Sequence, residues 1–127
     1  MKSNPPKPQS EPASAQLWRQ IKAEIGDAEC YAPQQCHSIG VGAKSCGGPE
    51  GYLAWSSKRS DEKKLRSLVA QHAAARKAEN EASGMASNCA IPQDPGASCV
   101  AEASGRKVCQ LNKIPVLGGQ ALPNSAQ

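Results

Sequence analysis

The chain is expected to fold as a small α+β domain stapled by disulfides, with two helices packed on a short antiparallel sheet and disordered N- and C-terminal tails. Three observations predict this. Large apolar side chains number only 23 among 127 residues and include no Phe, a thin supply for a core. Six cysteines, Cys30, Cys36, Cys46, Cys89, Cys99 and Cys109, fall within about 80 residues, and covalent bonds are what such a chain uses to supplement its core. Two stretches carry helical periodicity, while the segments between and after them alternate and break at glycine and proline.

Residues 1–14, MKSNPPKPQSEPAS, hold four prolines and no large apolar residue beyond Met1, so they read as a disordered tether. A single domain is expected over 15–111. Its first helix is capped by Ser14, presents Leu17, Trp18, Ile21 and Ile25 on one stripe, and ends at Gly26. Residues 36–57 alternate at Ile39 and Val41, break at Gly47-Gly48-Pro49 and resume at Tyr52-Leu53-Ala54-Trp55, which predicts two strands joined by a glycine-rich loop. The second helix is longer: Ser60 caps it, Asp61 and Glu62 occupy its positive first turn, and Leu65, Leu68, Val69 and His72 line one face before Gly84. Turn chemistry at Asp94-Pro95-Gly96 and Ser104-Gly105 marks a last hairpin. Residues 112–127 read as a flexible tail.

The cysteine spacings lack the short pairs, such as C-x2-C, that zinc sites use, so three disulfides and an oxidising compartment are expected, with no metal and no cofactor. Six cysteines allow 15 connectivities. A three-residue loop at Ala103-Ser104-Gly105 sets Glu102 opposite Arg106, Val100 opposite Val108 and Cys99 opposite Cys109, within the span of a disulfide. Cys30 and Cys36 flank a proline turn and close a local loop. Cys46 and Cys89 then join the glycine-rich loop to the segment after the long helix.

Catalytic patterns fail one by one. Gly42-Ala43-Lys44-Ser45 ends like a phosphate cradle, but Ala43 and Ser38 stand where the motif needs glycine. Cys36 and His37 are strand neighbours that point to opposite faces, so they cannot act as a nucleophile and its base. His72 on an apolar stripe reads as a packed core residue. Glu29, Glu50, Asp61, Glu62, Asp94 and Glu102 are scattered over turns and caps, unlike the paired carboxylates of a glycosidase. Lys58, Arg59, Lys63, Lys64 and Arg66 make a basic cluster, yet Asp61 and Glu62 interrupt it and no stacking aromatics accompany it, which argues against nucleic acid. No run of 18 apolar residues exists to span a bilayer.

Tyr52 and Trp55 sit beside glycines and read either as the largest pieces of a small core, the favoured reading, or, with Lys58 and Arg59, as a contact patch for a partner. The frame from Cys30 to Cys109 includes C-x5-C, Ser45-Cys46-Gly47-Gly48-Pro49 followed by Tyr52-Leu53, Asp94-Pro95-Gly96-Ala97-Ser98-Cys99 and Gly105-Arg106-Lys107-Val108-Cys109. It resembles small uncharacterised cysteine-containing lipoproteins and periplasmic proteins of Gram-negative bacteria. That resemblance implies export, a removed signal peptide and disulfides, and carries over no catalytic residue. The function expected is a non-enzymatic binding or inhibitor module of the periplasm or envelope, acting on an envelope protein or glycan. Its membrane contact would come only through a lipid anchor at the start of the tether, whose reach is roughly 20 Å. The alternatives are a small cell-wall hydrolase, a structural or stress-related envelope lipoprotein, and a secreted form.

Overall fold

A computed structural model describes residues 11–84, 89–90 and 92–113. The expected tails lie almost wholly outside them. The elements run α1 (Ala13–Ile25), a 3-10 turn (Pro33–Gln35), β1 (Cys36–Val41), β2 (Gly51–Ser56), α2 (Glu62–Ser83), β3 (Ala97–Ala101) and β4 (Lys107–Leu111). The fold is α+β, but the strands form two two-stranded antiparallel sheets, β1–β2 and β3–β4, rather than one. No helix is long and apolar enough to cross a membrane.

The helices follow their apolar stripes. Ile21 and Ile25 of α1 meet Leu65, Leu68, Val69 and His72 of α2 in the core, and Gly26 ends α1 with φ +58° and its N–H on the Lys22 carbonyl. The starts differ from expectation by one or two residues. Pro12, whose side chain makes no capping hydrogen bond, precedes α1, so α1 begins inside the stretch read as tether, and Ser14 is a buried first-turn residue bound to Glu79. Asp61 caps α2 by accepting from the Lys64 N–H at 3.1 Å, while Ser60 turns its hydroxyl to the Glu24 carbonyl and ties the two helices together. A carboxylate accepts that amide hydrogen more strongly than a hydroxyl does, which favours Asp61 as the cap.

The sheets complete the core. β1 pairs with β2 in the register Ile39 opposite Leu53 and His37 opposite Trp55, and Trp55 is 2% exposed with the His37 ring at 4.8 Å from its own. Trp55 is therefore core. The β3–β4 hairpin has the expected register, Cys99 opposite Cys109 and Val100 opposite Val108, with Gly105 at φ +94° in the turn.

Two of the three expected disulfides are different. Cys46 bonds Cys89 as anticipated, but Cys30 bonds Cys99 and Cys36 bonds Cys109, with Cα separations of 6.0 and 5.3 Å. The hairpin geometry was right and the inference from it failed. Side chains stand perpendicular to a ladder, so Cys99 and Cys109 both leave the same face of the hairpin, toward whatever packs beneath it. Beneath it lie Cys30 and Cys36. The segment before the 3-10 turn joins the open edge of β4, where the Cys30 N–H donates to the Lys107 carbonyl at 3.0 Å and the Cys109 N–H to the Ala28 carbonyl at 2.8 Å. The proline turn needs no disulfide of its own, because the Gln35 side chain already accepts the Tyr31 and Ala32 N–H groups at 2.6 and 3.1 Å.

Candidate functional site

The patch drawn from sequence is not one surface. Trp55 is buried, Tyr52 lies half-buried one residue out of phase with Leu53 and Trp55 on β2, and Lys58 and Arg59 follow the strand's other end. There Lys58 places its ammonium 4.5 Å above the ring of Tyr31, the most exposed large apolar residue among the described residues at 65%, and pairs with Glu29 at 3.8 Å. Arg59 lies 3.7 Å from Asp27. These are solvated contacts with partners already in place.

The structure instead assembles a cleft of about 350 Å³ where α1, α2 and the β1–β2 unit meet. Trp18 comes from α1, His72 and Arg76 from α2, Val41 from the end of β1, Glu50 from the loop, and Tyr52 and Leu53 from β2. Helical spacing puts His72 and Arg76 on one face, four residues apart. The Trp18 ring stands 5.3 Å from the His72 ring, and Lys22 covers Trp18 from outside at 5.4 Å. Gly42 has φ +78°, and a Cβ there would run into the Glu50 side chain, so glycine is required for the loop to bring that carboxylate inward.

The polar floor of the cleft is a closed network. Arg76 donates from Nε to Glu50 Oε1 at 2.7 Å and from Nη2 to Glu50 Oε2 at 2.6 Å, a bidentate pair, and from Nη1 to Glu79 Oε1 at 3.3 Å. Ser14 donates its N–H and hydroxyl to Glu79 at 3.1 and 2.7 Å, and Asn80 bridges Glu50 to the Ala43 carbonyl. The network thus ties the first turn of α1, the third quarter of α2 and the glycine-rich loop. The hydrogen bond from Arg76 holds the Glu50 carboxyl below its ordinary range. Burial pushes the Glu79 carboxyl up, but its bonds from Ser14 and Arg76 outweigh that and leave it low as well. Burial, helped by the Arg76 charge, lowers His72, whose Nδ1 is buried without a hydrogen-bond partner among the described residues. At neutral pH the cleft therefore holds two carboxylates bridged by one guanidinium, a net charge of minus one, beside a neutral imidazole.

A general acid needs a carboxyl pushed up toward neutrality, and both carboxyls here are pushed down. His72 makes no hydrogen bond to an acid among the described residues. What remains open to a ligand is the apolar wall of Trp18, Val41, Tyr52 and Leu53. Arg76 escaped the sequence reading, although its i, i+4 relation to His72 and i, i+3 relation to Glu79 mark one polar face. Its partner Glu50 lies 26 residues away and carries no local signal.

Comparison with protein-family models, with curated proteins and with solved structures finds no match. The three disulfides themselves suit a small protein folded in an oxidising compartment.

Proposed function

We propose that the protein is a non-enzymatic binding module of the bacterial envelope that seats an apolar side chain of a partner protein in the cleft between Trp18 and Tyr52. One observation carries this: the cleft's charged groups satisfy one another, while its aromatic and aliphatic wall has volume at the lower end of ordinary ligand pockets. An anchor residue from a partner would gain contact with the Trp18 ring and the aliphatic wall of Val41 and Leu53 without breaking the Arg76–Glu50 pair. The disulfides and the proline-rich stretch ahead of α1 support a periplasmic location with that stretch as spacer to a lipid anchor.

The test is amide and indole NMR of the oxidised protein titrated with capped hexapeptides bearing one central Trp, Phe or Leu, and in parallel with soluble cell-wall glycan fragments. Saturable shifts of the Trp18 indole and Leu53 amide by at least one peptide, lost in Leu53→Glu, support the reading. Shifts from the glycans alone, or none from any probe at millimolar concentration, overturn it.

A further inference from the structure

Two disulfides in a small domain need not touch, but here they do. The sulfurs of Cys30, Cys36 and Cys109 lie within 4.8 Å of one another, and the fourth sulfur, that of Cys99, is bonded to Cys30. The four come as two local pairs. Cys30 and Cys36 flank the 3-10 turn, and Cys99 and Cys109 stand opposite each other in the β3–β4 hairpin. Both disulfides cross between the pairs, so three of the sulfurs converge between the turn and the hairpin, and the Cys99 sulfur stands beside that group, one S–S bond from Cys30.

Three of the four corners a tetrahedral metal requires are thus in place. With Zn–S bonds of about 2.3 Å, tetrahedral thiolates stand roughly 3.8 Å apart, inside the spread of the Cys30, Cys36 and Cys109 sulfurs, and reduction frees the Cys99 thiol to turn in as the fourth. Reduction moves each bonded pair from covalent to van der Waals separation, which is toward that spacing. Four-sulfur zinc sites are built from two ligand pairs on two local units, the organisation found here without the short spacing that usually announces it. Cys30, Cys36 and Cys109 are buried in an apolar shell, and the half-buried Cys99 opens it on the hairpin side.

We propose that Cys30, Cys36, Cys99 and Cys109, once reduced, form a four-thiolate site for Zn²⁺ that holds the turn and the hairpin together in place of the two disulfides. Each disulfide takes up two electrons and two protons, either from a dithiol that becomes a disulfide or from a phosphine and water that leave as the phosphine oxide, so the two disulfides give four thiols. Zn²⁺ then displaces their four protons and binds the four thiolates, with no further redox change. The metal would fold the same junction wherever the chain is reduced, and oxidation would return it to disulfides with release of the ion. The site is independent of the binding cleft.

The experiment reduces the full chain with a phosphine under anaerobic conditions and titrates it with Co²⁺, then Zn²⁺, following visible absorption, native mass and near-ultraviolet circular dichroism. Expected are one metal per chain, the d–d and charge-transfer bands of tetrahedral cobalt thiolate, their loss on adding Zn²⁺, and recovery of a cooperative thermal transition that the reduced metal-free chain lacks. The Cys46→Ser/Cys89→Ser variant removes the third pair and keeps all of this, whereas Cys36→Ser/Cys109→Ser loses the bands. Reduced wild type without those bands overturns the proposal. So does a reversed pattern in the two variants, or metal uptake that restores no cooperative transition.

Discussion

The helical half and the hairpin half are held by different forces. Between α1 and α2, Ile21 and Leu65 are fully buried, and the Ser60, Asp61 and Ser14–Glu79–Arg76 hydrogen bonds join the helices at both ends. The β3–β4 hairpin buries only Val108 and Cys109 and leaves Val100 and Leu111 more than a third exposed. Its attachment rests on two backbone bonds to residues 28–30 and on two disulfides. A chain with few large apolar side chains can concentrate them in one region and use covalent bonds for the other, because a crosslink destabilises the unfolded chain without needing buried area.

That contrast can be broken from either side. With Cys30–Cys99 intact, Cys36→Ala/Cys109→Ala opens a loop of about 18 residues, through 30–36 and 99–109, and the chain-entropy relation sets the loss at about 3 kcal/mol. Denaturant unfolding under non-reducing conditions measures it. Hydrogen exchange of the hairpin amides should accelerate more than that of the α1–α2 amides, and equal acceleration would show one undivided unit. Leu65→Ala removes a fully buried side chain at the centre of the helical half and should lose about 3 kcal/mol. Here the exchange pattern should spread over the whole domain, since the core cluster includes residues from both helices, the β1–β2 sheet and Cys109.

A smaller effect separates the polar floor of the cleft from both. Glu50→Gln breaks a bidentate charged pair in which each side chain is about one-third exposed, so a loss of about 1–2 kcal/mol at pH 7 is expected. Glu50, Glu79 and His72 all have folded pKa values below their ordinary ones. Protonation of each therefore favours the unfolded chain. His72's contribution is complete above its ordinary value of about 6.5 and is lost as pH falls below that, while the carboxylates' contribution fades as pH drops below about 4.5. Urea titrations across pH should show stability declining in two stages on acidification. His72→Leu should flatten the first, and in Glu50→Gln the deficit should shrink through the second.

Much of the fold is readable along the chain because its signals are local. Helical spacing in Leu17–Ile25 and Leu65–His72, alternation around the glycine-rich loop, and the Ala103-Ser104-Gly105 turn each depend on residues a few positions apart. The same locality placed Cys99 opposite Cys109 in the correct register. The cleft was legible only in pieces, with His72 read as core, Tyr52 as core or contact residue, and Trp18 as part of a stripe.

Sequence alone therefore determined the α+β class, the two helices and the register of the β3–β4 hairpin, while Cys46 met Cys89 only as the remainder of two pairings that the fold replaced. Tertiary structure decided the rest: which sulfur each of the other four cysteines meets, how Glu50 reaches Arg76, and that the strands split into two sheets. The physical reason is common to all three. Each depends on which face of one element packs against another distant in sequence, and local backbone geometry leaves that choice open until the core closes.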